Sequence, residues 1–388
     1  MKIAVPAETA ANETRVAATP ATVKDYVKAG HEVVVQKGAG EKSFFPDADY
    51  EAAGATLAST AETTVAEADV VLRVRRPEDA LISAMKEGAA LIGMLDPWED
   101  GAFFDRLNAR RIMAFSMELI PRITRAQAMD VLSSQASLAG YRAVIEAHQP
   151  FARIFPLMMT AAGSIPPAKV FVMGAGVAGL QAIATAHRLG AAVSATDVRP
   201  EAGEQVRSLG AEFVFLEELA AAGEGGYAKE LTEEQKKKQV ELVAGHIRDM
   251  DVVITTALIP GRPAPKLISK DMVESMRPGS VIVDLATARG GNCALSRPDE
   301  VVEHAGVTII GYTNMPGRVP KDASAMYANN LRNFLKLLTA EDGGLKVDTE
   351  DEIIAGTLLT RDGKLVHPKF GGAEESAEAG ERAATPGE

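Results

Sequence analysis

The sequence has a single cysteine, Cys293, so no disulfide can close within the chain, and its six histidines are scattered without the spacing that metal ligands show. A disulfide scaffold and a metal site are thereby excluded, and the composition suits a reducing cytoplasm. Long apolar runs are also missing. None reaches the about 18 residues that a spanning helix needs, and the start, MKIAVPAE, lacks a charged region followed by a long apolar core. No signal peptide and no direct membrane span are expected. Positive charge is in deficit: 41 Lys and Arg stand against 53 Asp and Glu, a formal net charge of -12. That field repels phosphate backbones and anionic lipid, and no basic cluster with interleaved aromatics offsets it, so no nucleic-acid partner is expected. With 388 residues and 46% hydrophobic content, the chain can bury large cores and is long enough for two domains.

The chain is organised around AKVFVMGAGVAGLQAIATAHRLGAAVSATD, residues 168–197. An apolar run, Val170 to Met173, enters Gly174-Ala175-Gly176-Val177-Ala178-Gly179, and Leu180 to Leu189 continues with helical spacing up to Gly190. This order predicts strand, tight turn and helix. Gly174 lets the chain turn sharply, Gly176 lets a pyrophosphate approach the backbone, and Gly179 lets helix and strand pack closely, with the helix-opening amides toward the phosphates. A second strand, Ala192 to Thr196, ends in Asp197, about twenty residues past the turn, where a carboxylate can accept hydrogen bonds from an adenosine ribose. That charge repels a 2′-phosphate and favours NAD(H). Arg199, just beyond Val198, offers the alternative of receiving such a phosphate.

Strands and helices alternate along the rest of the chain, which predicts α/β architecture with doubly wound parallel sheets. Before the glycine turn, strands are expected at Ile3 to Val5, Glu32 to Gln36, Val70 to Val74, Ala89 to Leu95 and Ile112 to Phe115. After it, they are expected at Glu212 to Leu216, Asp251 to Thr255, Ser280 to Asp284 and Val307 to Ile310. The expected domains are 1–132 with 312–370, and 133–311, followed by a disordered tail, 371–388. Thr124 to Ala147 is expected as one connector helix, Pro150 to Pro167 as a loop, and Ile353 to Leu359 with Lys364 to His367 as a hairpin. Gly223 to Gln239, glycine-opened and heavily charged, interrupts the pattern as a surface excursion containing Tyr227.

Pro121 to Asp130 opens the connector. Thr124 and Gln127 have the spacing of a capping box, in which Gln127 only satisfies a backbone donor. Alternatively Gln127, Asp130 and Ser134 line one helical face with Ser133 beside it, a polar stripe able to line a binding site.

At PRITRAQAMDVLSSQASLAGYRAV, MMTAAGSIPPAKVFVMGAGVAGLQAIATAHRLGA, GGYAKE, TTALIPGRPAP and PGSVIVDLA the chain resembles the NAD(H)-binding subunit of bacterial proton-translocating transhydrogenases. The similarity runs over nearly the whole chain. It implies two Rossmann-like domains separated by a cleft, with Arg122, Gln127, Asp130 and Ser133 at the nicotinamide of NAD(H) and Asp197 at the ribose. It also implies that Tyr227 belongs to a loop closing over nucleotide, that the chain is a homodimer, and that hydride passes to NADP(H) on a partner beta subunit. A further, membrane-spanning alpha-type subunit would hold the complex at the cytoplasmic face of the inner membrane.

Alanine dehydrogenase, to which the family is also similar, supplies a rival reading. Oxidising an amino acid moves a proton with the hydride and needs a general acid or base. No histidine lies between Glu32 and Ala147, Gly93-Met94-Leu95-Asp96 stands where those dehydrogenases carry theirs, and Thr287-Ala288-Arg289-Gly290-Gly291 replaces their aspartate. Arg15, Arg73 and Arg75 could bind a carboxylate or form surface salt bridges. A non-catalytic NAD-sensing module, a third reading, would have the glycine turn and Asp197 but no need of Arg122, Gln127 and Asp130.

Overall fold

The computed structural model describes residues 1–98, 101–215 and 233–371. The tail expected at 371–388 lies, beyond Gly371, outside the described residues. The chain forms two compact units, Met1–Ser134 with Pro320–Glu388, and Gln135–Val319. The chain leaves the second unit at Val319 rather than at residue 311. Tyr312 packs against that unit's core and stacks under the Arg318 guanidinium, which also pairs with the buried Glu146.

The first unit holds an eight-stranded sheet in the order Lys364–Leu365, Leu358–Arg361, Met113–Ser116, Ala90–Gly93, Val70–Leu72, Lys2–Val5, Glu32–Gln36, Thr56–Ala58. All pairings from Met113–Ser116 onward are parallel, and the first two strands add an antiparallel edge. Alternate residues serve opposite faces: Ile3, Val5, Val70 and Leu72 enter one core, Ala4 and Val71 the other. A parallel strand buried on both faces needs apolar residues at every position, and these strands have them. The strand order reverses between Lys2–Val5 and Val70–Leu72.

The second unit has a seven-stranded sheet: Glu212–Phe213, Ala192–Thr196, Lys169–Met173, Val252–Thr255, Val281–Asp284, Val307–Ile310 and Val301–His304. Only the last pairing is antiparallel. Val170 and Val172 face one core, Phe171 and Met173 the other. The reversal lies between Lys169–Met173 and Val252–Thr255, the crevice where ligands of such sheets bind.

Four local expectations are corrected. The connector is not one helix: Thr124–Met129 is a 3-10 turn, and the α-helix starts at Val131 and runs to His148. Between them Asp130 is extended, with ψ 93°, and caps the new helix by accepting the Ser133 amide at 2.9 Å. Residues 150–167 are not wholly loop, because Met158–Thr160 and Gly163–Ile165 pair as an exposed antiparallel hairpin. Ile353 to Thr357 is helix rather than strand, since the Asp351 carboxylate accepts the Ile353 amide at 2.8 Å and nucleates a turn. Val301–His304 is an edge strand that the sequence reading omitted. It is folded back by the Ala305-Gly306 turn, where both residues have positive φ. Among the described residues no helix is long and apolar enough to cross a membrane.

Candidate functional site

In the second unit the glycine turn sits at the end of strand Lys169–Met173 and opens helix Val177–Arg188. Gly174 has φ 106°, and a Cβ there would strike the Thr256 hydroxyl; one on Gly179 would strike the Gly174 carbonyl. A Cβ on Gly176 would meet nothing within 4 Å. Gly174 and Gly179 are therefore required by the fold, whereas Gly176 leaves open space over the backbone. Gly176 is also the helix N-cap and supplies no side chain to the amides of the first turn, which have no partner within a helix by construction. The amides of Val177, Ala178 and Gly179 thus remain available to an anion, helped by the helix dipole. Gly140, on helix Val131–His148, has no room for a Cβ against the Ala178 carbonyl, so that helix packs directly on the turn. Exposed, unpartnered amides beside a backbone that anything planar or anionic can approach fit a dinucleotide pyrophosphate.

Asp197 stands one strand away. Its Oδ2 accepts the buried Ala175 amide at 2.7 Å, and its Oδ1 accepts the Arg199 amide at 2.9 Å and Arg199 Nε at 3.0 Å. Burial works to raise its pKa, but the Arg199 guanidinium and the two amides outweigh it and hold the carboxyl below its ordinary value. Asp197 thereby ties the glycine turn to the following strand and keeps its charge. Val198, between them, is 76% exposed. Both sequence alternatives meet here: Arg199 already occupies the carboxylate that would receive a ribose.

The turn is braced from behind by residues that the sequence reading did not single out. Thr256 Oγ1 donates to the Gly174 carbonyl at 3.1 Å. The buried Asn292 carboxamide accepts the Ala257 amide at 3.1 Å and donates to the carbonyls of Ala257 and Pro265 at 2.9 and 2.8 Å. Asp284 accepts from Thr255 Oγ1, the amides of Ala286 and Cys293, and Ser296 Oγ. No local spacing announces the Asn292 bonds, because they join positions 27 to 35 residues apart.

In the first unit, Arg122 and Gln127 are exposed, and neither side chain hydrogen-bonds to a described residue. Gln127 rides on the 3-10 turn, whose N-cap, Ile123, supplies no side-chain bond, so the capping-box reading fails. Ser133 Oγ donates to Asp130 Oδ2 at 2.5 Å, which sets hydroxyl and carboxylate together through the capping turn. The helical-face argument for Gln127 and Asp130 does not hold, since the helix begins after both. Arg125 makes a bidentate bond to Asp351 at 2.7 and 3.0 Å. Tyr227 and most of 223–239 lie outside the described residues, although Glu233–Ile247 is helical.

Two family models match: "Alanine dehydrogenase/PNT, N-terminal domain" over residues 4–139 and "Alanine dehydrogenase/PNT, C-terminal domain" over 143–368. The chain is 52% identical over 381 residues to the first of the separately encoded alpha chains of NAD(P) transhydrogenase of Rhodospirillum rubrum, covering 96% of this chain and 99% of that one. The chain belongs to the NAD(P) transhydrogenase alpha-subunit family. The crystal structure of a transhydrogenase from Sinorhizobium meliloti superposes with a TM-score of 0.86 at 50% identity, covering 94% of this chain and all of that one. Alanine dehydrogenase of Mycolicibacterium smegmatis is more distant, 32% identical over 94% of this chain and 95% of its own.

Against that family background the arginines of the first unit need correction. Arg15 and Arg73 are buried, not surface residues. Arg15 Nε and Nη2 donate to the two oxygens of Glu13 at 2.8 and 2.6 Å, Arg75 Nε donates to Glu13 at 2.9 Å, and Arg73 pairs with Glu8 at 3.2 Å. Burial raises the Glu13 carboxyl, but Arg15 and Arg75 overcome it and hold it well below the usual carboxylate range. The Glu8 carboxyl, pushed up by burial against the pull of Arg73 and two amides, reaches about 7. These arginines spend their donors on internal carboxylates, so the switch point of this sheet is filled by its own ion pairs. Among the described residues no group of His, Cys, Asp and Glu is placed to hold a metal ion.

Proposed function

We propose that this chain is the NAD(H)-binding component of a proton-translocating transhydrogenase, passing hydride between NADH and NADP⁺ carried on a separate NADP(H)-binding beta subunit. The observation that carries the reading is the glycine turn: open at Gly176, uncapped at the helix start, and tied through Ala175 to an ionised Asp197. Gly174, Ala175, Gly176, Val177, Ala178 and Gly179 seat the pyrophosphate through their backbone. Asp197 receives the ribose hydroxyls, with Val198 and Arg199 beside it, and Asp197 sets the preference for NAD(H). Arg122, Gln127, Asp130 and Ser133 bind and orient the nicotinamide end, and Tyr227 closes over bound nucleotide. Bound NADH supplies the hydride.

Transfer between two nicotinamide rings moves no separate proton. The histidine-free stretch from Glu32 to Ala147 and the Ala288 replacement agree with that chemistry and not with amino-acid oxidation. We further propose that the chain dimerises through the hairpin Met158–Ile165, where Leu157, Met158, Met159 and Ile165 are all exposed; a two-stranded hairpin has little stability of its own in water. A separate membrane-spanning alpha-type subunit anchors the assembly at the cytoplasmic face and carries the protons.

The test is a hydride-transfer assay of the purified chain with NADH and NADP⁺, with and without the NADP(H)-binding subunit. Transfer is expected only with the partner. Turnover of NAD⁺ with L-alanine by the chain alone would overturn the reading and require a proton donor outside the positions considered.

A further inference from the structure

We infer that Asn330 is a positioning residue for hydride transfer, clamping the segment that carries Gln127 and Asp130. The inference rests on the role proposed above for those two residues. Gln127 makes no side-chain hydrogen bond to a described residue, so its backbone alone sets where its amide points. That backbone is a six-residue 3-10 turn without a side-chain cap, longer than such turns usually run and weakly bonded internally. Something outside it must fix its position.

Asn330, in the middle of helix Pro320–Leu337, does so. Its Nδ2 donates to the carbonyl of Ala128, the residue after Gln127, at 2.9 Å, and its Oδ1 accepts from Ser134 Oγ at 2.7 Å. One carboxamide thus holds both sides of the break at Asp130: the 3-10 turn before it and the first turn of helix Val131–His148 after it. The Ala128 carbonyl decides the orientation, because only the amide nitrogen can face it. Asn333 adds a second, longer donor to the same carbonyl at 3.2 Å.

Two features argue that the clamp is more than ordinary packing. Asn330 is only 7% exposed, on a helix face whose neighbours Tyr327, Leu331 and Phe334 are buried and apolar, where a leucine would fill the same space without a polar group to satisfy. Asparagine is also a poor helix former in such a position. The residue therefore weakens its own helix and is compensated only by the bonds it makes to the Gln127 segment. Asp130 and Ser133 bond each other locally and fix their own turn; Asn330 is what registers that turn against the preceding one.

The experiment compares Asn330→Asp and Ser134→Ala with the unaltered chain in complex with its NADP(H)-binding partner. Asn330→Asp is nearly isosteric, keeps the acceptor for Ser134, and sets a carboxylate oxygen against the Ala128 carbonyl. Ser134→Ala removes the other bond and leaves the donor in place. Stopped-flow hydride transfer should fall on the order of a hundredfold in Asn330→Asp and less in Ser134→Ala, as misplacement by about 1 Å predicts. The NADH dissociation constant, measured by NADH fluorescence, should change less than about threefold, because the pyrophosphate and ribose are held by the other unit. Equal transfer rates in all three proteins, or losses of rate and NADH affinity in proportion, would overturn the inference. If Asn330→Asp does not fold, Ser134→Ala decides the matter alone by the same split between rate and affinity. Absence of transfer by the unaltered complex would instead refute the proposed function.

Discussion

Replacing Asp197 by Asn separates the carboxylate's charge from its place in the fold. An Asp197→Ala change would strand the Ala175 amide, itself buried, at a cost of about 1–3 kcal/mol, and any loss of nucleotide would be confused with loss of structure. Asparagine keeps one oxygen for that amide. What it removes is the charge, and with it the gain of a charge-assisted over a neutral hydrogen bond, about 1–1.5 kcal/mol for each ribose hydroxyl. For two hydroxyls the NADH dissociation constant should rise on the order of thirty- to a hundredfold.

NADPH should respond in the opposite direction. With the carboxylate gone, its repulsion of a 2′-phosphate disappears, and Arg199 loses the partner that now holds its Nε at 3.0 Å and its Nη2 at 3.2 Å. NADPH affinity should therefore rise in Asp197→Asn, and the gain should vanish when Arg199→Ala is added. Fluorescence titration with both nucleotides, beside thermal unfolding, measures all of this. Unchanged NADH affinity together with no gain in NADPH would refute the reasoning and leave Asp197 as a fastener of Ala175 and Arg199 only. The pH dependence has a fixed sign. Because the folded pKa of Asp197 lies below its ordinary value of 3.8, its contribution to stability is present above that value and is lost as pH falls through the lower folded one.

Gln127→Asn should leave melting temperature and NADH affinity nearly unchanged, since the side chain bonds no described residue, while slowing hydride transfer to the partner's nucleotide on the order of a hundredfold; a lowered melting temperature with normal transfer would sink its assignment. Met159→Asp, at a residue 77% exposed on the hairpin, should shift the chain to monomer in sedimentation velocity, and an unaltered dimer would move the interface elsewhere. Burial holds the Glu8 carboxyl at about 7, so the folded chain keeps a proton that the unfolded chain releases, and stability should decline as pH rises from 4.5 toward 7. Glu8→Gln should flatten that decline in denaturant titrations at stepped pH.

What was legible in the sequence was what neighbouring residues decide among themselves. The glycine turn, its strand and helix, and Asp197 all lie within thirty residues, and their conformations follow from local sterics and apolar spacing. The break at Asp130 was not legible, because a helical pattern runs through it. The 3-10 turn before it is held by Asn330, 202 residues from Ala128. The hairpin at Met158 was missed because its residues are exposed and so carry no alternating apolar signal. The arginines were misread for a related reason. Charge suggests surface, and only the fold shows that Glu8 and Glu13 follow Arg15 and Arg73 into the interior.

The two units share an architecture and differ at the point that matters for binding. In each, the strand order reverses beside the first strand, and the chain leaves that strand at the crevice. In the second unit a helix begins at Val177, directly after the glycine turn, and its first amides carry no side-chain cap. In the first unit the chain wanders from Val5 to Pro20 before a helix starts, and that helix is closed by a capping box between Thr19 and Thr22. The intervening residues bring Glu8, Glu13 and Arg15 into the crevice, where they meet Arg73 and Arg75. A short connection leaves backbone donors free for an anion, whereas a long one supplies the side chains that fill the same place. The parallel sheet does not by itself specify a nucleotide site; the length and capping of the first connection decide which unit can hold one.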